Sequence, residues 1–144
     1  MICYVDSSVL LAMLFGEAGS ERLRELWAAP DHRISSILLA VETLVVLRRT
    51  HASAAKRLGP SWLRERERAR AMLLQEVHLL HVDGGTLDVL ALHRELSGTR
   101  ALDAVHLATA VELRDEGFGS EIAVATLDES MRRMARKLKF KVLP

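Results

Sequence analysis

Four carboxylates stand where they could do chemistry in this 144-residue chain: Asp6, Glu42, Asp103 and Asp128. Asp6 ends the short apolar run Ile2, Cys3, Tyr4, Val5, and Asp128 stands just past a second such run, Ile122 to Thr126. Asp103 lies in the first turn of the helical stretch RALDAVHLATA, while Glu42 interrupts the apolar stretch ILLAVETLVVL. Each aspartate alone has a structural explanation, as a helix cap or as a partner of the helix dipole. Glu42 has no such role. Ionised in the middle of a core helix it would cost several kcal/mol without a partner, and Arg48 is the nearest basic residue in sequence.

Carboxylates gathered in one cleft repel one another and stay ionised only with positive charge among them. A hard divalent cation with oxygen ligands, Mg²⁺ or Mn²⁺, suits such a set. Zn²⁺ does not, because Cys3 is the only cysteine and no His/Cys cluster has zinc spacing. His106 follows Asp103 by three residues and would lie on a similar side of the helix; a lone histidine there reads first as a hydrogen-bonded core residue.

The elements that must position these groups follow from patterning. Ile2 to Val5 suits a strand buried on both faces of a parallel sheet. Ser7 and Ser8 are natural caps for the apolar helix that follows, and Gly16 stops it. A second helix is expected from near Ser20, closed by Pro30-Asp31, and a strand over Arg33 to Ser35. Ser35 or Ser36 should cap a third helix, whose apolar residues from Ile37 to Leu47 predict burial on nearly all sides. Gly59-Pro60 and Ser61 open a fourth helix. Val77 to Val82 predicts a third strand, Thr86 a cap for a fifth helix, and Ile122 to Thr126 a fourth strand; a last helix around Met131, Met134 and Leu138 leads to a final strand, Lys141 to Leu143. Strands alternating with helices argue for a three-layer α/β/α sandwich with a mostly parallel sheet. No repeat, linker or composition shift divides the chain, so a single domain over residues 1–144 is expected. Asp6 then sits at the carboxyl end of a central strand, the edge where open α/β sheets bind ligands.

Composition narrows the setting. The chain is 49% hydrophobic but only 4% aromatic, so its core must be aliphatic. A lone buried cysteine, no secretion-signal pattern and no run of 18 apolar residues point to a soluble cytoplasmic protein that does not enter membranes. The net charge of +1 hides an uneven distribution. From Arg48 to Arg70 eight basic residues face only Glu65 and Glu67, and the tail beyond Glu129 carries Arg132, Arg133, Arg136, Lys137, Lys139 and Lys141 with no acid. Such segments are solvated helix faces or sites for a polyanion.

YVDSSVLL, SSILLAVETL, RALDAVHLATA and VATLDESM, in this order and over essentially the whole chain, give the sequence its resemblance to PIN-domain proteins, specifically VapC-type ribonuclease toxins of toxin–antitoxin pairs. The resemblance implies a five-stranded sheet of order 3-2-1-4-5, a homodimer, a VapB-type antitoxin partner and Mg²⁺- or Mn²⁺-dependent hydrolysis of RNA phosphodiester bonds. By position it makes Asp6, Glu42, Asp103 and Asp128 the acidic quartet. Thr126 matches a hydroxyl residue two before the last acid, and Ser8 an auxiliary polar position. Asp6 and Asp103 would be the principal direct metal ligands, with Glu42 and Asp128 completing the site directly or through metal-bound waters, and Glu42 or Asp128 would orient or deprotonate the attacking water. Arg64, Arg66, Arg68 and Arg70 are the first candidates for holding RNA. Other readings are an RNA-processing nuclease, or a silent PIN-fold binding module, outside any toxin–antitoxin pair. A haloacid-dehalogenase-like phosphatase needs a second Asp two residues after Asp6, where Ser8 stands; a response-regulator receiver needs an acidic pair beside the first strand, which is absent.

Overall fold

In the computed structural model, which describes residues 1–17, 19–118 and 122–143, five parallel strands lie in the order β3-β2-β1-β4-β5. They are β1 (Ile2–Val5), β2 (His32–Ser36), β3 (Val77–Leu80), β4 (Ile122–Ala125) and β5 (Lys141–Leu143). The helices are α1 (Ser7–Phe15), α2 (Ser20–Ala28), α3 (Leu38–Leu58), α4 (Pro60–Leu74), α5 (Gly84–Leu92), α6 (Ala101–Leu113) and α7 (Glu129–Lys137), with a 3₁₀ turn at Arg94–Gly98. This is the expected α/β architecture and strand order.

Strand alternation sorts the core into two layers. Tyr4 of β1 and Ile122 and Val124 of β4 pack with Leu107 and Val111 of α6 and Met131 of α7. Cys3 and Val5 point the other way, into a core with Leu10 and Leu14 of α1, Trp27 of α2 and Leu39 and Leu47 of α3. The strand order reverses at β1, whose neighbours are β2 on one side and β4 on the other. The segments leaving β1 and β4 therefore diverge, and a crevice opens between them at the carboxyl edge.

Capping departs from the serine and threonine candidates at three helices, α3 having Ile37 at its N-cap rather than Ser35 or Ser36, though Ser36 Oγ accepts from Leu38 N–H. Asp6 itself caps α1, its carboxylate accepting from Ser8 N–H, because the helix begins directly at Ser7. Asp83 caps α5 through Gly85 N–H, and Thr86 instead donates its hydroxyl to Glu112. Gly16 ends α1 as expected, with a left-handed φ of 64° that favours glycine. The third helix is both longer and wetter than its apolar sequence suggested: α3 runs to Leu58 across a kink at Ala54, and Val41 and Val45 are 51% and 44% exposed. Hydrophobic periodicity shows that a face is apolar, not that the same chain covers it. No helix among the described residues is long and apolar enough to cross a membrane.

Candidate active site

Asp6 leaves the end of β1 still joined to the sheet, its N–H bonded to Ala125 O at 3.0 Å. The side chain is 3% exposed. One oxygen, Oδ2, accepts from Ser8 Oγ at 2.5 Å, Thr126 Oγ1 at 2.8 Å and Ser8 N–H at 3.3 Å. The other, Oδ1, has only a long contact from Ser7 Oγ at 3.4 Å. Ser8 Oγ in turn accepts from Leu127 N–H, and Thr126 Oγ1 from Asp128 N–H. The two hydroxyl positions singled out in the sequence thus tie the β1 and β4 loops together around one oxygen of Asp6 and leave the second free to act.

Asp128 comes to the same crevice as the N-cap of α7, its Oδ1 accepting from Met131 N–H at 2.9 Å. Asp103 arrives from the first turn of α6 and Glu42 from the second turn of α3. Asp6, Glu42, Asp103 and Asp128 all line one open cleft of about 580 Å³, with Ser8, Val41, Val45, Leu102, Arg49 and Arg100 on its walls. The four acids expected to converge do so.

Their electrostatics are unbalanced. Burial pushes the Asp103 carboxyl above the usual Asp range, and the negative charges of Asp6, Asp128 and Glu42 push it further while Arg100 pulls it back. Asp103 Oδ2 is buried with no hydrogen-bond partner. Among the described residues no Lys or Arg forms an ion pair with any of the four acids. Glu42 faces a ring nitrogen: His106 Nε2 lies 3.5 Å from its Oε2. Burial works to raise the Glu42 carboxyl, but His106 and the Ser7 hydroxyl outweigh it and hold the group below the usual Glu range.

The donor set fits a hard cation. It is built of carboxylate oxygens, one of them buried and unsatisfied, in a cleft short of positive charge. Ligand atoms of Asp6, Glu42 and His106 lie within 4.8 Å of one another. His106 is fully buried and hydrogen-bonded, as the sequence suggested, but it faces Glu42. That was the partner the sequence could not supply, because 64 residues separate the two.

The basic segment is placed less simply. Arg49 and Arg100 border the cleft. Arg70 is committed to α3, donating to Thr43 Oγ1 at 2.8 Å and to Ala40 O. Arg66 packs over the Trp62 ring, and Arg48 pairs with Glu67 at 2.8 Å. Arg64 and Arg68 are exposed on α4. Arg100 had been legible only as part of the RALDAVHLATA stretch, with nothing in its own position to mark it.

A family model described as PIN domain matches residues 3–137. Ribonuclease VapC46 of Mycobacterium tuberculosis is 32% identical over 143 residues, which cover 97% of this chain and 95% of that protein. Two solved structures share the fold. One is VapBC2 from Rickettsia felis bound to a DNA fragment from their promoter, with a TM-score of 0.69, 10% identity, and coverage of 99% of this chain and 98% of that one. The other is a toxin–antitoxin complex from Klebsiella pneumoniae, with a TM-score of 0.61, 19% identity, and coverage of 88% and 86%.

Proposed function

Because this chain belongs to the PIN-domain family, we propose that its acidic cleft hydrolyses RNA phosphodiester bonds with Mg²⁺ or Mn²⁺, as the toxin of a toxin–antitoxin pair. The reading rests on Asp103 Oδ2, buried without a partner among three further carboxylates that, among the described residues, form no ion pair with a Lys or Arg. Asp6 and Asp103 would hold the cation, with Glu42 and Asp128 beside them. A bound divalent cation would draw charge from a phosphoryl oxygen and ease deprotonation of the attacking water.

The chain's own groups do the rest. Ser8 and Thr126 fix Asp6 by one oxygen, so the other needs no reorganisation to serve as a donor. Asp128 has Oδ1 engaged in capping α7, whereas Glu42 faces the cleft with its ionised form supported by His106. Glu42 is therefore the better placed of the two to orient the attacking water and accept its proton. Arg49 and Arg100, on the walls of the same cleft, are suited to hold the phosphates on either side of the scissile bond. Arg64 and Arg68 on α4 remain candidates for more distant backbone contacts. An antitoxin of VapB type and a second copy of the chain are the partners this reading carries with it.

Metal titration tests the proposal. Mg²⁺ or Mn²⁺ should raise the melting temperature of the wild type, and Asp6→Asn should abolish that rise and lower RNA cleavage at least ~100-fold. Equal cleavage by wild type and Asp6→Asn would assign the activity to a contaminating nuclease and overturn the reading.

A further inference from the structure

His106 Nδ1 is met by two hydroxyls, Tyr4 Oη at 3.0 Å and Ser36 Oγ at 3.3 Å. Each hydroxyl already accepts a main-chain N–H: Ser36 N–H reaches Tyr4 Oη at 3.1 Å, and Leu38 N–H reaches Ser36 Oγ at 3.3 Å. Each accepted N–H takes one of the two lone pairs of its hydroxyl and leaves the proton to give, and Nδ1 lies within reach of both. A neutral imidazole that accepts at Nδ1 carries its proton at Nε2. The ring cannot swing away, since it is fully buried and set edge-on to Tyr4 at 77°, with centroids 6.0 Å apart. Nε2 has no hydrogen-bond partner in its burial, and the acceptor it faces is Glu42 Oε2, 3.5 Å away.

We propose that Tyr4, Ser36 and His106 are a buried positioning set: the two hydroxyls fix the tautomer whose Nε2–H is aimed at Glu42, and that N–H holds the Glu42 carboxylate toward the cleft. His106 is thus a positioning residue and not a nitrogen ligand, although its Nε2 lies among the donor atoms of Asp6 and Glu42. The consequence for metal choice is direct. A site of oxygen donors alone suits Mg²⁺ as well as Mn²⁺, whereas a bare imidazole nitrogen would shift preference to softer transition ions. The inference rests on the cleft being a cation site, and its test separates the two claims.

Side-chain ¹⁵N spectra of the metal-free protein, with the His106 signals identified by their loss in His106→Gln, should show Nδ1 as a bare, pyridine-type nitrogen and Nε2 as protonated. A proton on Nδ1 overturns the proposal. Calorimetric titration with Mn²⁺ supplies the second arm. His106→Gln can replace the Nε2–H with an amide N–H and should stay within about threefold of wild-type affinity, while His106→Leu should lose roughly 10–100-fold, the usual effect of removing a group that orients a ligand. Equal affinity in His106→Leu and wild type overturns the proposal. If His106→Leu does not fold, Tyr4→Phe combined with Ser36→Ala takes its place: the tautomer should become mixed and Mn²⁺ binding weaker, and no change in either overturns the proposal. A wild type that binds no Mn²⁺ counts against the cation reading, and the ¹⁵N spectra then decide the tautomer by themselves.

Discussion

At the N-terminal edge of the sheet, Asp31, His32, Arg33, Glu76 and His78 border a hollow of about 690 Å³, larger than the acidic cleft of about 580 Å³ at the opposite edge. Both hollows are rich in charge, but the charges are arranged differently. At the N-terminal edge the carboxylates are answered: Glu76 Oε2 accepts from Trp27 Nε1 at 2.9 Å and Arg33 Nη2 at 3.0 Å, Arg33 donates to Pro30 O and stacks on Trp27, and the chain's amino terminus pairs with Asp31. At the carboxyl edge four acids meet without an ion-paired Lys or Arg among the described residues. Size does not separate the two hollows. What separates them is that one has spent its electrostatics on folding and the other holds repulsion that a ligand can relieve.

Asp103→Asn probes that difference most strongly. The folded state raises the Asp103 carboxyl above its ordinary range through burial and the neighbouring acids. Its contribution to stability is therefore fully present at acid pH, where the group is protonated in both states, and is lost as pH rises through the raised value. Above that raised value the ionised group opposes folding of the metal-free protein. Asp103→Asn should accordingly raise the metal-free melting temperature by a few degrees while lowering RNA cleavage at least ~100-fold. A lower melting temperature in calorimetry would show that the cleft is not electrostatically strained.

The alternation of strands and helices was legible in patterning, with short apolar runs ending in Asp6 and near Asp128, whereas the strand order and the acidic quartet came with the resemblance to PIN-domain proteins. Local competition between neighbouring caps was not legible. Asp6 and Ser7, or Asp83 and Thr86, are equally good candidates on paper, and where the helix starts decides between them, a difference of one residue at α1 and of three at α5. Nor was the exposure of Val41 and Val45, since apolar residues beside a cleft read the same as apolar residues in a core. The link from Glu42 to His106 and on to Tyr4 joins three separate elements, α3, α6 and β1. Nothing within any one of them marks it. Arg70 taught the converse: its charge suggested a polyanion, but its position two-thirds along α4 places it against α3, where Thr43 Oγ1 and Ala40 O take it up.

Strand β1 connects the two edges and should respond in a third way, through burial alone. Desolvation pushes the Cys3 thiol up to about 11 and the Tyr4 hydroxyl up to about 12, from ordinary values of 9.0 and 10.0. In the unfolded chain the thiol ionises from about pH 9, and in the folded chain only from about pH 11. Its stabilising contribution is intact below pH 9 and lost by pH 11, a change on the order of 3 kcal/mol. Denaturant titrations between those limits should show a falling stability whose slope is shallower in Cys3→Ala. Equal slopes would mean that the thiol reaches solvent in the folded state, which fast native-state reaction with a disulfide reagent would reveal independently.

Glu76 offers the smaller and opposite test at the N-terminal edge. Its carboxylate is the shared acceptor for Trp27 and Arg33, and the Arg33 side chain is only 15% exposed. Glu76→Ala leaves both donors short of a partner, which should cost about 1–3 kcal/mol of stability. Glu76→Gln keeps an oxygen in place and should cost less. RNA cleavage should not change in either variant, because this hollow lies at the far end of the strands from the acids. Loss of stability without loss of cleavage here, against loss of cleavage with a gain of metal-free stability in Asp103→Asn, is the opposite pairing of signs that the two edges require. A Glu76→Ala protein that keeps its fold but cleaves poorly would mean that the larger hollow takes part in the reaction.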